Sequence, residues 1–511
     1  YSDETGKVGT VYNDNPQYVV NIGSGSNKVL EQTIRSNWEV KLGYDRAWNN
    51  HQLSVAALYR QEMEESLGVN SSWYRHSLMG IASYNFRNKY MVDVVANRYG
   101  TSVLLKGDKF RFYPAVSAAW VLSNEDFLKD RSFIDLLKLR LSYGRSAVDN
   151  LSYGLGKHYW SSLRKYYFGD SNTEVSGYLE RKIPMRSLEL ETADKYNIGL
   201  DVQLSFTADM YYDKRSNILV SNKKVSGMIG IDVPQQNVGK VESKGLELSL
   251  GWNDKIRDFR YYVNGNVSFM DSKVLENGEG YQPYDYLYAK GHKVGQVFGL
   301  EAVGYFRDEE DIRKSPVQTF STVRPGDLKY KDQNNDGRID AYDEVAIGKS
   351  ATVPEMVYGL NLGFEYKGFG VDATFQGVGG ISTMLTTPHV YRPLRNNNNI
   401  STWYLKDRIR WTESTKDIAN LPRLSTLDNA NNYRNSTQWL ENGSFFKLRN
   451  LNVYYNFPQK WSEKLHMDKL QVYVRAQDLF SLDHIDYLNC ENLSLGYFDT
   501  MSISLGLNIN F

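Results

Sequence analysis

The sequence predicts an all-β fold, a large antiparallel transmembrane β-barrel, on three observations. Apolar and polar residues alternate at a period of two almost from end to end, which gives a strand one apolar and one polar face. Many runs are about ten residues long, enough to cross a bilayer at the usual strand tilt. Connections alternate between tight turns, such as Asn49-Asn50 and Lys367-Gly368, and long stretches, the longest being the outer loop 386–443. Short turns on one side and long loops on the other are the outer-membrane arrangement.

In chain order the runs are Trp38–Tyr44, Leu53–Tyr59, Leu78–Tyr84, Tyr90–Ala96, Val116–Leu122, Leu137–Tyr143, Tyr196–Leu204 and Phe206–Tyr212. Leu246–Trp252, Tyr261–Phe269, Leu360–Tyr366, Phe369–Phe375, Leu451–Phe457 and Leu470–Ala476 follow. In the last run Met501, Ile503, Leu505, Leu507, Ile509 and Phe511 share one face, and Ser502, Ser504, Gly506, Asn508 and Asn510 the other. A final amphipathic strand ending in Phe resembles the C-terminal signal of bacterial outer-membrane barrels. About seventeen strands are expected over 1–511. Single-chain bacterial barrels have an even number, and an open wall leaves two edges seeking partners. Further strands are therefore expected before Tyr1, on the same chain or a companion chain.

The polar faces, such as Asn264, Asn266 and Ser268, or Tyr473, Arg475 and Gln477, are too wet for a packed core. The charges keep to one parity. A charge on the lipid face costs about 2–4 kcal/mol at mid-membrane and little against water, so a wide, water-filled interior and an apolar exterior are expected. A sandwich would need strands of about five or six residues, and a propeller a repeat of about 40–50. Neither is present.

Composition narrows the function classes. With 60 basic and 60 acidic residues the net charge is 0, so nothing points to nucleic acid as a partner. Mean hydropathy is -0.52, and no apolar run of about 18 residues offers a transmembrane helix. The 38 Tyr and 10 Trp suit a membrane–water interface. Cys490, the one cysteine, rules out an internal disulfide framework and a multi-cysteine zinc site. Tyr1-Ser2-Asp3-Glu4 is polar and not a signal peptide, so the sequence reads as part of something longer.

One insert, 326–348, carries chemistry. With Asp332 as position 1, oxygen donors fall at Asp332, Asn334, Asp336, Asp340 and Asp343, with Gly337 at the sharp turn and the Arg338 backbone carbonyl at position 7. Positions 1, 3, 5, 7, 9 and 12 are the Ca²⁺-loop spacing. Four carboxylates so close would repel one another without a hard cation. Ca²⁺ is the expected cofactor, with Mg²⁺ the alternative. Asp343 replaces the usual bidentate Glu, and flanking helices are not expected, so a structural loop site is predicted rather than a sensor. The alternative is an Asx-turn-rich surface loop with no metal.

No catalytic constellation is found, and the chain is not expected to be an enzyme. The seven histidines are scattered, with no zinc spacing. There is no Gly-x-Ser-x-Gly elbow and no Walker loop. The acid pairs Glu64-Glu65 and Glu309-Glu310 are expected in solvated loops. The loop aromatics Tyr281, Tyr284, Tyr286, Tyr288, Tyr391, Trp403 and Tyr404 could stack on sugars or a lid, but plain loop packing is the stronger expectation.

Several stretches resemble the SusC/RagA-like family of TonB-dependent transporters of Bacteroidetes outer membranes. They are Tyr113–Trp120, Lys138–Gly144, Asn237–Glu247, Gly291–Phe306, the Asp332 loop, Arg410–Thr412, Gly443–Leu451 and Ala476–Phe480. His292-Lys293-Val294 departs from the family pattern. The resemblance implies a 22-stranded barrel in the outer membrane, plugged by an N-terminal domain and energised by the TonB-ExbB-ExbD complex. A SusD-like surface lipoprotein would act as hinged lid, and the substrate would be an oligosaccharide or an oligopeptide. The plug, TonB box and first strands are not in this sequence. The other reading of the residues is a plugless pore or an adhesive barrel displaying its long outer loop.

Overall fold

The computed structural model describes residues 32–510 except 68–70, 106–108, 129–135, 152–154, 157–158, 171–172, 203–204, 224–227, 229–232, 386–390, 395–398, 403–407, 465, 486–487 and 492–499. Leu204, Trp403, Tyr404 and Phe511 lie outside the described residues. Among the described residues no helix is long and apolar enough to cross a membrane.

The chain opens with β1 (Gln32–Trp48), β2 (His51–Leu67), β3 (Ser71–Phe86), β4 (Tyr90–Thr101), β5 (Phe110–Val121) and β6 (Leu137–Val148), each antiparallel to the next. A separate hairpin, β7 (Tyr159–Phe168) and β8 (Thr173–Lys182), follows. Next come β9 (Glu191–Val202), β10 (Phe206–Val220), β11 (Gln236–Ile256) and β12 (Phe259–Glu276). A long insert holds β13 (Gln296–Gly299), β14 (Ala302–Tyr305), β15 (Val317–Gln318), β16 (Leu328–Tyr330), β17 (Arg338–Ile339) and β18 (Val345–Ser350). The wall resumes with β19 (Met356–Tyr366) and β20 (Phe369–Gly379). The short β21 (Ser382–Met384) and β22 (Leu440–Asn442) pair with each other before β23 (Phe445–Asn456), β24 (Lys469–Asp483) and β25 (Ser502–Asn510).

Fifteen strands form one sheet in the order β1-β2-β3-β4-β5-β6-β9-β10-β11-β12-β19-β20-β23-β24-β25. The described residues of the fifteen alternating runs named above fall on these strands, except Leu122, Phe457 and Met501, which lie just beyond strand ends. Among the described residues the wall counts fifteen strands, and the other extended segments pair two by two outside it. The turns expected at Asn49-Asn50 and Lys367-Gly368 are two-residue hairpins, Trp48 facing His51 and Tyr366 facing Phe369. Lys367 and Gly368 both take positive φ (48° and 89°), the geometry such hairpins need.

Contacts divide the chain into two compact units. One comprises the chain to Ile198 with Asp213–Lys240 and Gly278–Gly280; the other holds the rest. In the first unit, Leu42, Leu78, Val92 and Val94 lie on the apolar face and are exposed, Leu42 at 72%. Two aromatic rows bound this face. At the turn end, Trp48, His51, Phe86, Tyr90 and Trp120 follow one another with ring centroids 5.2, 4.8, 6.5 and 6.4 Å apart. At the other end, Trp38, Tyr59, His76 and Phe110 do the same at 5.8, 6.4 and 6.5 Å. From Trp38 to Trp48 the strand rises about 33 Å, or about 25 Å of depth at a tilt near 40°, the height of an outer-membrane apolar band.

The second unit repeats the pattern. Phe259, Phe364 and Phe369 make a turn-end row (5.8 and 6.2 Å), and Tyr358, Phe446 and Phe375 the opposite one (6.1 and 5.3 Å). Its polar face is a hydrogen-bonded lattice. Tyr262 Oη donates to Asp372 (2.9 Å), Asn452 Nδ2 to the same carboxylate (3.2 Å), and Tyr454 Oη to Glu365 (3.1 Å). Several tyrosine rings lie flat over a cross-strand glycine: Tyr262 over Gly363, Tyr454 over Gly370 and Tyr473 over Gly506.

Two local expectations are corrected. Glu64 and Glu65 belong to β2 rather than a loop, with Arg35 opposite Glu64 (3.2 Å). Glu309 and Glu310 open a short helix, Glu309–Lys314, whose start Asp308 caps by accepting the Asp311 N–H (2.8 Å).

Candidate metal-binding loop

The Asp-rich loop is held between two short ladders. Upstream, β16 pairs with β14; downstream, β17 runs parallel to β15, Val317 facing Arg338. A single 3-10 turn, Ala341–Asp343, closes it, and no helix flanks it directly. The apolar anchor is a cluster of Leu300, Leu328, Tyr330 and Ile339, each almost wholly buried.

Within the loop the expected ligands turn inward and accept backbone N–H groups. Asp332 takes those of Asp336 (3.3 Å) and Gly337 (2.9 Å), Asn334 that of Asp336 (3.0 Å), and Asp336 that of Arg338 (2.8 Å). Asp340 takes the Tyr342 N–H (2.8 Å). Gly337, at φ +81°, makes the sharp turn. Asp343, fully buried, spreads its two oxygens across the loop, accepting the Gln333 N–H and the Asp340 N–H, each at 2.8 Å. Burial pushes the Asp343 carboxyl up; the two N–H donors pull it down, and the charges of Asp332 and Asp340 push it up again.

This arrangement fits a hard cation in one respect and not in another. Each carboxylate oxygen has two lone-pair sites, so one N–H bond leaves acceptor capacity. The carbonyls of Gly337 and Ile339 accept from β15 and its neighbour Thr319, so the intervening Arg338 carbonyl points away from β15, as alternation along a strand requires. Against this, among the described residues no three His, Cys, Asp or Glu side chains are gathered as a metal-holding group. Asp343 serves as a clasp joining the loop's two ends rather than as an open bidentate ligand.

Tyrosines brace the loop from outside. Tyr286 Oη donates to the Tyr342 carbonyl (2.7 Å), and Tyr284 stacks on Tyr286 (5.4 Å) and meets Tyr342 edge-on (6.4 Å). Burial, followed by the Asp343 charge, pushes the Tyr286 hydroxyl up to about 12. Tyr288 is tied to Gln282 and Tyr391 is fully buried, as loop packing predicts, whereas Tyr281 is 89% exposed.

The sequence reading missed the polar frame behind the loop. Asp327, with no exposed surface, accepts Asn429 Nδ2 (2.8 Å), Asn432 Nδ2 (2.9 Å) and the Arg324 N–H (2.7 Å), and lies 2.7 Å from Arg423 Nε. Gln318 and Asn431 both donate to the Leu328 carbonyl (2.7 and 2.9 Å), and Gln318 accepts the Tyr330 N–H (2.8 Å). These amides weld 318–330 to 423–432. Asn and Asp in loops read as turn formers, and their partners lie about a hundred residues away in sequence.

An antiparallel wall with a polar face, and an apolar face edged by aromatic rows, defines a transmembrane β-barrel of the outer-membrane class. The chain belongs to the TonB-dependent receptor-like β-barrel family, whose model matches residues 66–479. It is similar to a TonB-dependent receptor of Formosa agariphila, at 26% identity over 84% of this chain and 46% of that protein. It is also similar to the TonB-dependent receptor SusC of Bacteroides thetaiotaomicron, at 24% identity over 84% of this chain and 43% of that one. The RagAB peptide transporter structure shares the fold, with a TM-score of 0.75 at 17% identity over 94% of this chain and 56% of that one. The chain thus spans about half the length of the curated relatives it matches. The family places it in the outer membrane.

Proposed function

We propose that this chain is the wall of a TonB-dependent importer that brings a large nutrient, an oligosaccharide or an oligopeptide, across the outer membrane. The observation that carries this reading is the continuous polar face of the sheet, with Asn264, Asn361, Thr374, Asn450, Gln477 and Ser502 in register across six strands. Such a surface lines a water-filled path. A plug portion, on the same or a companion polypeptide, closes it and is remodelled by TonB-ExbB-ExbD. A SusD-like lipoprotein covers the outer loops. Within those loops, the donors Asp332, Asn334, Asp336, Asp340, Asp343 and the Arg338 carbonyl hold Ca²⁺, which fixes the insert; Mg²⁺ fits less well because it demands near-ideal octahedral geometry.

The test is uptake of labelled oligosaccharides and oligopeptides by cells with and without the gene, with and without a protonophore. Loss of energised uptake on deletion supports the importer. Uptake that survives the protonophore but not deletion favours a plugless pore.

A further inference from the structure

In the first unit the apolar face carries an arginine near each aromatic row: Arg46, opposite Leu53 and 5.7 Å from the Trp48 ring centroid at the turn end, and Arg98 at the other end. Arg98 faces Leu78 on one side and Phe112 on the other, so its side chain belongs to the lipid-facing parity. Its guanidinium lies 5.1 Å from the Phe110 ring centroid, in the row away from the short turns. Phe110 is opposite Gly100, where an added Cβ would come within 2.5 Å of the ring. The glycine thus lets the ring lie flat against β4. On the far side, His76 also faces Gly100 and reaches Phe110 at 6.5 Å, and Tyr59 Oη stands 3.2 Å from His76 Nδ1.

Neighbouring arginines are neutralised: Arg60 by Glu62, Arg75 by Asp149 and Arg145 by Asp194. Arg98 has no acidic partner among the described residues; its guanidinium meets the Phe110 ring. A cation on a lipid-facing position is tolerated where it can reach the headgroups. Short turns face the periplasm in outer-membrane barrels, so Arg98 stands at the outer leaflet.

We infer that Arg98, on the same lipid-facing side of the sheet as His76 and Tyr59, binds the phosphate of a phosphorylated glycolipid of the outer leaflet. The guanidinium offers a planar fork for a phosphate while its face rests on an aromatic ring. The imidazole and phenol add hydrogen-bonding atoms on the same side.

The test is native mass spectrometry of the complex extracted mildly from its own outer membrane, scoring retained phosphorylated glycolipid. Arg98→Gln is expected to retain roughly tenfold less, the scale of one charge-assisted hydrogen-bonded contact, and Arg98→Lys to retain more than Arg98→Gln. Dephosphorylating the glycolipid before extraction is expected to remove the difference between wild type and Arg98→Gln. Equal retention by wild type and Arg98→Gln, with both variants still migrating as folded barrels, overturns the assignment. So does selective loss of a glycerophospholipid instead.

Discussion

The Asp343 carboxylate accepts the Gln333 backbone N–H at 2.8 Å, so the last donor of the Asp-rich loop is fastened to its second residue. Its other oxygen accepts the Asp340 N–H, and the side chain is fully buried. Asp343→Ala leaves both donors unanswered, which costs about 1–3 kcal/mol. The variant is expected to lower calcium affinity at least about tenfold, since 1.4 kcal/mol is a factor of ten. Calorimetric titration of calcium into wild type and variant measures this.

The same residue gives a pH dependence. Burial holds the Asp343 carboxyl above its ordinary range. A carboxyl raised in the folded state contributes stability at low pH and loses it as pH rises through the folded value. In chelator-treated protein, the charged Asp343 is therefore a liability at neutral pH, which the proposed calcium would offset. The gap in thermal stability between calcium-loaded and chelated protein is expected to narrow as pH falls toward about 4. A gap that widens on acidification contradicts this.

The buried Asp327 carboxylate pairs with the half-buried Arg423 and is framed by Asn429 and Asn432. Removing the Asp327 carboxylate leaves the amides of Asn429 and Asn432 and the Arg324 N–H without their acceptor, at about 1–3 kcal/mol for a buried unsatisfied group. Asp327→Ala is expected to release 423–439 to limited proteolysis while the barrel stays folded. Asp327→Ala combined with Arg423→Met is expected to recover part of the resistance.

Glycines in the wall differ in what they allow. A Cβ at Gly363 would stand 2.2 Å from the Tyr262 ring, whereas one at Gly43 meets nothing within 4 Å. Gly363→Ala is expected to cost about 1–3 kcal/mol by overpacking and to break the Tyr262–Asp372 hydrogen bond. Gly43→Ala is expected to be nearly neutral. Urea unfolding from lipid vesicles compares the two.

The wall was legible because lipid and water impose opposite demands on successive residues, and period two records that demand within each strand. Thus Tyr261–Phe269 and Leu360–Tyr366 read as strands from their own residues alone. The loop donors Asp332 to Asp343 were legible as a spacing. Their use as backbone acceptors was not, because a spacing carries no side-chain direction. The frame of Gln318, Asp327, Asn429, Asn431 and Asn432 left no periodic trace, since each residue is meaningful only beside a partner distant in sequence. The two-stranded inserts β7–β8 and β13–β18 were missed for the same reason: packing against neighbouring loops, not a membrane, selects their faces.

The central claim is that one face of this sheet meets lipid and the other meets water. It is tested most directly by nitroxide labels placed singly from Val357 to Phe364 on β19, after replacing Cys490, in the complex reconstituted in bilayers. Tyr358, Leu360, Leu362 and Phe364 should be accessible to lipid-soluble oxygen, and Val357, Gly359, Asn361 and Gly363 to a water-soluble nickel chelate. Collision rates without period two, or with both faces shielded from lipid, would contradict the account.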